Sequence, residues 1–255
     1  MHELRIYGHR GASALLPENT IEAFERALAD GANALEMDVH CTADGHFVVF
    51  HDRDGLRTVG VGDLVAESTL RQVKRWDPGV GFVDAEGRRP FVGRGLEVPT
   101  VADVLETFKD VPLSIDLKPP SRAAVPRFLE LLARHGAERR VTICSFHERV
   151  TAAVRALGYP GRTALTRLEV AALWTLPLSL CRRLVRGQSF QVPQRAGPLR
   201  LDRRRLMRRC SNLGLRADFW VINDPGRAQA LVTGGATGVM TDNPAPIVEA
   251  LAGRG

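Results

Sequence analysis

The sequence is poor in cysteine and in aromatic residues. Its 255 residues contain four cysteines, and none of them has the C-x-x-C spacing of a zinc knuckle or the dense pattern of a disulfide framework. Aromatic residues make up 6% of the chain, too few to form a platform on which bases stack, and no nucleic-acid-binding motif accompanies them. We therefore expect neither a structural zinc site nor a nucleic-acid partner.

Lysine is scarce as well. Only Lys74, Lys109 and Lys118 are lysines among 35 basic residues, so the net charge of +6 comes almost entirely from arginine. Two interpretations stay open: the charge serves anionic partners, or it reflects the coding bias of a GC-rich genome.

The N-terminus lacks the basic start and apolar core of a signal peptide, which predicts a cytoplasmic protein. The nearly apolar stretch Val170–Cys181, interrupted by Pro177, is too short to span a bilayer. It could be a barrel helix that buries one face. Alternatively, it could lie over the mouth of the barrel and touch acyl chains or an anionic membrane, helped by Arg182, Arg183, Arg186 and the arginines of 203–209.

The length and the 44% hydrophobic content suit one domain over residues 1–255, in the size range of a (β/α)₈ barrel. Strand patterns alternate with helix patterns along the chain. Predicted strands are Leu4–Gly8, Leu35–His40, Phe47–Phe50, Pro112–Leu117, Val141–Ser145, Arg162–Thr166, Ser189–Val192, Asp218–Ile222 and Thr237–Thr241. This alternation predicts an α/β fold, a (β/α)₈ TIM barrel.

Nine predicted strands exceed the eight places of a barrel. The surplus lies in the segment Ala34–Asp52, where two apolar runs meet at Asp44-Gly45, the favoured pair for a two-residue type I′ loop. We therefore predict a β-hairpin whose return arm is added after the second barrel strand.

This hairpin predicts a cluster of functional groups. A two-residue loop would place Ala43 opposite His46, Asp38 opposite His51, and Glu36 opposite Arg53. Glu36, Asp38 and His51 would then share one face, with Arg53 as an ion-pair partner for Glu36. A shift of register by one residue would separate them.

The chemistry of TIM barrels lies at the carboxyl ends of the strands. Polar residues predicted there are His9, Arg10, Glu36, Asp38, Asp116, Lys118, Ser145, Gln191, Trp220, Asn223, Thr241 and Asp242, with His51 added by the hairpin. Three carboxylates suit a hard cation, Mg²⁺ or Ca²⁺, whereas zinc bound through the histidines is the rival.

The remaining groups suit phosphodiester chemistry. Arg10 offers a planar fork for phosphate oxygens, Lys118 offers a second positive charge, and His9 and His51 can act as base and acid. Each residue taken alone also has an ordinary structural explanation, such as a surface ion pair between Asp116 and Lys118. Their joint placement at strand ends favours metal-assisted phosphodiester cleavage.

These residues carry a resemblance to the glycerophosphodiester phosphodiesterase family, a group of metal-dependent TIM-barrel hydrolases. The matching motifs are H-R-G (9–11), P-E-N-T (17–20), E-x-D (36–38), V-V-F-H-D (48–52), V-P-T (98–100), D-L-K (116–118), S-F (145–146), W-x-x-N-D (220–224) and T-D-N-P (241–244). They span nearly the whole chain.

The resemblance implies a role for each matched residue. Glu36, Asp38 and Asp116 would bind the divalent cation, and His9 and His51 would be the acid/base pair. Arg10 and Lys118 would contact phosphate, while Glu18 would orient the His9–Arg10 corner from behind. Gln191, Trp220 and Asn223, which lie at or next to predicted strand ends, are candidates for the substrate pocket.

The chain departs from the family pattern in three places. Asp116 stands where many members have glutamate, Val221 stands where threonine is usual, and Arg167–Arg209 has no clear match. Three functions stay open: hydrolysis of glycerophosphodiesters or lysophospholipids, a phospholipase-like lyase that releases a cyclic phosphate, and a silent binding protein.

Overall fold

Eight parallel strands form a nearly closed barrel in the computed structural model, which describes residues 2–119 and 124–252. The strands in chain order are β1 (Arg5–His9), β2 (Ala34–Cys41), β3 (Phe47–Val49), β4 (Asp54–Gly55), β5 (Val61–Leu64), β6 (Leu113–Leu117), β7 (Val141–Cys144), β8 (Arg162–Thr163), β9 (Ser189–Pro193), β10 (Arg195–Ala196), β11 (Leu199–Arg200), β12 (Arg216–Trp220) and β13 (Gly238–Thr241).

The helices cover the outside of this barrel. They are α1 (Ile21–Ala29), α2 (Leu56–Val59), α3 (Leu70–Val73), α4 (Val101–Thr107), α5 (Ala124–Arg134), α6 (Glu148–Ala156), α7 (Arg167–Thr175), α8 (Leu178–Leu184), α9 (Arg204–Asn212), α10 (Pro225–Thr233) and α11 (Pro244–Ala252), with 3₁₀ turns at Val65–Glu67 and Pro78–Val80.

The parallel strands follow the order β8-β7-β6-β2-β1-β13-β12-β9, and a parallel bridge between Ala164 and Ser189 joins the two ends of this path. The TIM-barrel prediction is therefore confirmed. Residues that alternate along β2 divide between two environments. Met37 and Val39 pack in the apolar layer beneath the helices, whereas Glu36 and Asp38 face the interior of the barrel.

Local signals in the sequence set the helix starts correctly. Thr20 caps α1 by accepting a hydrogen bond from the amide of Ala23, and Phe24 is fully buried on the inner face of that helix. Thr100 and Asp103 form a reciprocal cap of α4. Such caps can be read from the sequence because capping is decided within one turn of chain.

The segment after β8, which the sequence suggests as one helix ending at Val185, forms two helices. Leu176 has an extended backbone, as is usual for a residue before proline, so the chain breaks at Pro177 into α7 and α8. Two short hairpins, β4–β5 and β10–β11, were also not predicted. Their strands of two to four residues are too short to show an alternation.

The α7–α8 pair lies along the outer wall of the barrel between β8 and β9, not over the mouth as one interpretation of the sequence placed it. Leu173 and Cys181 are fully buried, and Leu173 packs with Phe190 and with Leu206 of α9. The segment is thus a barrel-wall element that buries one face. In the two described stretches of chain, no helix has the length and apolar content needed to cross a bilayer.

The return arm β3 pairs antiparallel with the upper end of β2, so the added hairpin is confirmed. Its register is not the predicted one. Val39 lies opposite Val49 and Cys41 opposite Phe47, which leaves a three-residue loop of Ala43, Asp44 and Gly45.

The longer loop has a clear physical cause. Asp44 accepts a hydrogen bond from the amide of Leu70 at the start of α3, and Gly45 adopts a left-handed φ of 85°. A turn that ends in a left-handed glycine is the common three-residue hairpin loop. Asp38 therefore lies opposite Phe50, whose amide donates to the Asp38 carbonyl, and not opposite His51.

In the observed register, Glu36 and Arg53 do not form the predicted contact. Arg53 is exposed, and no ion pair joins it to Glu36 among the residues that the structure describes. His51 nevertheless reaches the site, because the chain bends over 51–53 and leaves the strand ladder.

Candidate active site

His9 ends β1 and is held by a carboxylate from the last barrel strand. Its Nδ1 lies 2.6 Å from Oδ1 of Asp242. Oδ1 of Asp242 also accepts a hydrogen bond from Ser13, and Oδ2 of Asp242 accepts one from Asn223. This partner assigns the proton to Nδ1 and leaves Nε2 facing the site, 3.9 Å from Oε2 of Glu36. Burial lowers the pKa of His9, but Glu36 and Asp242 outweigh that effect and raise it.

His51 has the same arrangement. Its Nδ1 lies 2.6 Å from Oδ1 of Asp52, and the second oxygen of Asp52 accepts a hydrogen bond of 2.6 Å from Nε of Arg57. Both candidate catalytic histidines therefore have a carboxylate on Nδ1, which keeps Nε2 free to exchange a proton with a substrate.

The three predicted carboxylates lie on two neighbouring strands. Asp38 of β2 is in register with Asp116 of β6, Glu36 lies one inward-facing position earlier on β2, and all three are buried. Lys118 bridges two of them, with its Nζ 2.7 Å from Oδ1 of Asp38 and 2.6 Å from Oδ2 of Asp116. The structure thus brings together the residues that the sequence predicted for metal and phosphate.

Burial and mutual repulsion separate the proton affinities of these carboxylates. Burial and the charge of Asp38 raise the pKa of Glu36 to about 7. Burial also raises the pKa of Asp116 despite the adjacent Lys118. For Asp38, by contrast, Lys118 and Arg10 outweigh burial and lower the pKa. The interior of the barrel mouth therefore favours one more positive charge.

Arg10 is fixed by its backbone and by two carboxylates. Its amide donates to the carbonyl of Glu36, its Nη1 lies 3.0 Å from Oε1 of Glu18, and its Nε lies 3.1 Å from Oδ2 of Asp38. The Nε–Asp38 contact is an ion pair without hydrogen-bond geometry. Glu18 holds Arg10 from behind, in the place predicted for it.

The backbone at this corner is strained. Arg10 and Asn19 both have left-handed φ values, 55° and 60°, and the amide of Asn19 donates to the carbonyl of Arg10. The next residue, Gly11, has φ of 87°, and a Cβ there would lie 2.6 Å from the carbonyl oxygen of Ala23. The H-R-G motif therefore needs its glycine, because β1 turns directly against α1.

A cation-binding role for the three carboxylates is supported by one unpaired atom. Oδ1 of Asp116 is buried without a hydrogen-bond partner. An oxygen-only donor set with one unpartnered oxygen fits a hard divalent cation. In the described ranges, 2–119 and 124–252, no three acidic, histidine or cysteine side chains already form a cage for an ion, because Lys118 and Arg10 lie among the carboxylates.

A cavity of about 330 Å³ opens beside His51. Glu18, Arg57 and His51 line this cavity together with Phe82 and Val83 from the loop after Asp77. The long glycine-rich loop over 78–97 thus borders the site.

The three pocket candidates have different surroundings. Gln191 lies inside the barrel, where its Oε1 accepts hydrogen bonds from Ser114 and Cys144. Trp220 lies at the rim, with its ring 6.0 Å from that of Phe146. Asn223 binds Asp242 and so supports His9.

Sequence reasoning missed the roles of four polar residues of the site. Asp52 and Asp242 hold the histidines, Arg57 holds Asp52, and Asn19 donates a hydrogen bond of 3.4 Å to Asp38. The sequence could have identified Asp52, which directly follows His51, and Asp242, which follows a predicted strand end. It gave no such indication for Arg57, because Arg57 lies on a helix of only four residues.

Comparison with known proteins gives the context of this site. Residues 9–246 match the family described as the glycerophosphoryl diester phosphodiesterase family. A glycerophosphodiester phosphodiesterase of Caldanaerobacter subterraneus is 26% identical over 250 residues, which cover 95% of this chain and 96% of that protein. Human lysophospholipase D GDPD1 is 26% identical, and the match covers 92% of this chain and 82% of that protein.

A solved structure shows the same fold. The Oleispira antarctica phosphodiesterase, determined in complex with the product sn-glycerol-3-phosphate, superposes with a TM-score of 0.79 at 21% identity and covers 97% of this chain and 96% of its own. The family match covers both histidines, the three carboxylates and Arg10, and it confirms the resemblance found in the motifs. The chain belongs to the glycerophosphoryl diester phosphodiesterase family.

Proposed function

We propose that this chain, with residues 1–255 acting as one domain, hydrolyses glycerophosphodiesters to glycerol phosphate and an alcohol. The observation that carries the proposal is the pair of histidines, His9 and His51, each oriented by a carboxylate on Nδ1. They lie at the same barrel mouth as Arg10, Lys118 and the buried carboxylates. Membership of a family of phosphoric diester hydrolases supports this reaction.

The residues divide the chemistry between them. Arg10 and Lys118 bind the phosphate oxygens and offset their charge. One histidine takes a proton at Nε2 from the attacking hydroxyl, and the other gives a proton at Nε2 to the departing alkoxide. Asp52 and Asp242 hold the two imidazole rings at Nδ1, so neither histidine has to turn between the two steps.

Glu36, Asp38 and Asp116 are proposed to hold one divalent cation, Mg²⁺ or Ca²⁺. When bound, such a cation stabilises negative charge on the phosphate and lowers the pKa of a bound hydroxyl. Family members generally depend on a divalent metal. Zinc is less suited to this site, because Glu36, Asp38 and Asp116 offer only oxygen donors.

A substrate panel tests the reaction. We expect turnover of glycerophosphocholine and related diesters in Mg²⁺ or Ca²⁺, with phosphorus NMR showing a linear phosphomonoester as the final product. A cyclic phosphate that persists would instead identify a lyase. No turnover of any diester, with retained binding of glycerol 3-phosphate, would identify a silent binding protein.

We also propose that lysophospholipids are substrates and that the barrel mouth contacts anionic membranes peripherally. Phe146 and Leu168, which we call the rim pair, are 54% and 70% exposed beside the mouth. The guanidinium of Arg167 lies 5.9 Å from the centre of the Phe146 ring, and the ring of Trp220 contacts the same ring edge-on. Apolar side chains flanked by arginine suit an acyl chain at an anionic surface. The activity named for the human relative supports this extension.

The rim pair gives a specific prediction. The double variant Phe146→Ser/Leu168→Ser should lose roughly tenfold or more in lysophospholipid turnover, since about 1.5–3 kcal/mol accompanies burial of each such side chain. Its turnover of glycerophosphocholine should stay near that of the wild type. Sedimentation with anionic vesicles should fall in parallel and should weaken at high salt.

The matched control is Leu157→Ser, since Leu157 is 52% exposed but lies at the end of α6, away from the mouth. Equal losses on both substrates in the rim variant, or wild-type binding to vesicles, would remove the support for a lipid substrate.

A further inference from the structure

The two halves of the site are joined through one side chain that the proposed mechanism does not use. Arg57 donates from Nη1 and Nη2 to the two carboxylate oxygens of Glu18, at 2.8 and 2.7 Å. Its Nε donates to Oδ2 of Asp52 at 2.6 Å. Glu18 holds Arg10, and Asp52 holds His51. Arg57 therefore connects the phosphate-binding arginine to a proton-transferring histidine.

The backbone holds Arg57 in this place from both sides. Thr58 and Val59, the next two residues of α2, are buried. A Cβ on Gly55 would lie 2.4 Å from Cγ2 of Val59, so β4 packs directly on α2. A Cβ on Gly81 would lie 2.5 Å from Cα of Thr58, so the loop over 78–97 presses on the opposite side. This packing fixes the position of the Arg57 backbone, from which its guanidinium extends.

The chemistry of the contacts requires arginine. A planar guanidinium donates two parallel hydrogen bonds to one carboxylate and a third from Nε in the same plane, whereas an ammonium is a point charge. The Arg57 side chain is 51% exposed, so its ion pairs add little to global stability. The contacts of Arg57 therefore serve to orient Glu18 and Asp52 and contribute little to the stability of the fold.

We propose that Arg57 is a positioning residue that keeps His51 in register with Arg10, so that proton transfer and phosphate binding act on the same diester. The proposal rests on the proposed phosphodiesterase function. Glu18 and Asp52 are the two arms of the connection, and Arg57 couples them.

The first test compares two substitutions at Arg57. Arg57→Gln should lower kcat/KM by about 10- to 100-fold, as is typical when a residue that orients a site residue is lost. Both kcat and KM should change, because KM depends on phosphate binding by Arg10 and kcat depends on proton transfer by His51. Arg57→Lys should recover less than about threefold of this loss, because it restores the charge without the fork.

The matched control is Arg53→Gln, which removes the same charge from an exposed side chain four residues away with no ion pair in the described part of the chain. This variant should keep wild-type kcat and KM. A full recovery by Arg57→Lys would show that Arg57 acts through charge alone and would overturn the proposal. So would an Arg57→Gln enzyme that equals Arg53→Gln.

A double-mutant cycle at Glu18 and Asp52 tests the coupling directly, and the half measured in the wild-type background does not require an Arg57 variant to fold. Glu18→Gln weakens the contact between Arg57 and Glu18, and Asp52→Asn weakens the contact between Arg57 and Asp52. In the wild-type background their combined loss should be smaller than the product of the single losses by about threefold or more. In the Arg57→Gln background the two losses should multiply. Independent losses in both backgrounds would mean that Arg57 does not link the arms.

The same data separate this proposal from the proposed function. If wild-type enzyme turns over no diester, the phosphodiesterase assignment fails. If wild type is active and the cycle shows no coupling, the assignment stands and the role of Arg57 fails.

Discussion

Replacing either His9 or His51 with alanine is expected to lower kcat by a factor on the order of 10² to 10⁴. Each imidazole is oriented by a carboxylate at 2.6 Å, so each loss removes a proton-transfer group that is already in position. Steady-state turnover of glycerophosphocholine measures the effect. The double variant should lose little more than the worse single variant, because the two transfers belong to one reaction.

The control for this pair is His135→Ala, since His135 contacts Glu106 on the outside of the barrel. It should keep wild-type activity. Calorimetry should also show that both site variants still bind the divalent cation. A histidine variant that no longer binds the cation would be a ligand of the metal, and the acid/base assignment would be wrong for that residue.

Removal of the metal is expected to abolish activity altogether. In excess EDTA the three carboxylates at the mouth lose the charge that offsets their repulsion, a repulsion visible in the raised pKa of Glu36. Turnover should return on addition of Mg²⁺ or Ca²⁺ and should return less with Zn²⁺. Full turnover in excess EDTA, with no metal found by elemental analysis, would refute the metal assignment.

A substitution sharpens this result. Asp116→Asn keeps the size of the side chain but removes the charge beside the unpartnered oxygen, so the cation affinity should fall by about 10- to 100-fold. Asp110→Asn, at an exposed position three residues before β6 begins, should leave the affinity unchanged. An Asp116→Asn enzyme with wild-type affinity would remove Asp116 from the ligand set.

The barrel was predictable from the sequence because its signals are local. Thr20 and Thr100 cap helices through contacts three residues away, and the alternation of apolar residues marks the strands. The hairpin register was not predictable in this way. Asp44 is drawn to the start of α3, 26 residues later, and this contact lengthens the loop by one residue.

The site could be predicted as a set of residues but not as a network. Strand ends identify His9, Glu36, Asp38 and Asp116, because parallel strands must finish at one mouth. Which carboxylate holds which histidine depends on the bend after β3 and on the loops. Arg57 is reached only through such a contact, to Glu18, 39 residues earlier in the chain.

The pairing of His9 with Asp242 has a consequence for how the enzyme is made. These residues are 233 positions apart, and they meet only when the last barrel strand, β13, pairs with the first, β1. The partner of His51, Asp52, is the adjacent residue and is synthesised early. The partner of His9, Asp242, is synthesised near the end of the chain, and the two pair through a long-range contact. Catalytic competence and closure of the ring are therefore a single folding event, and a growing chain stays inactive until its last strand has entered the sheet.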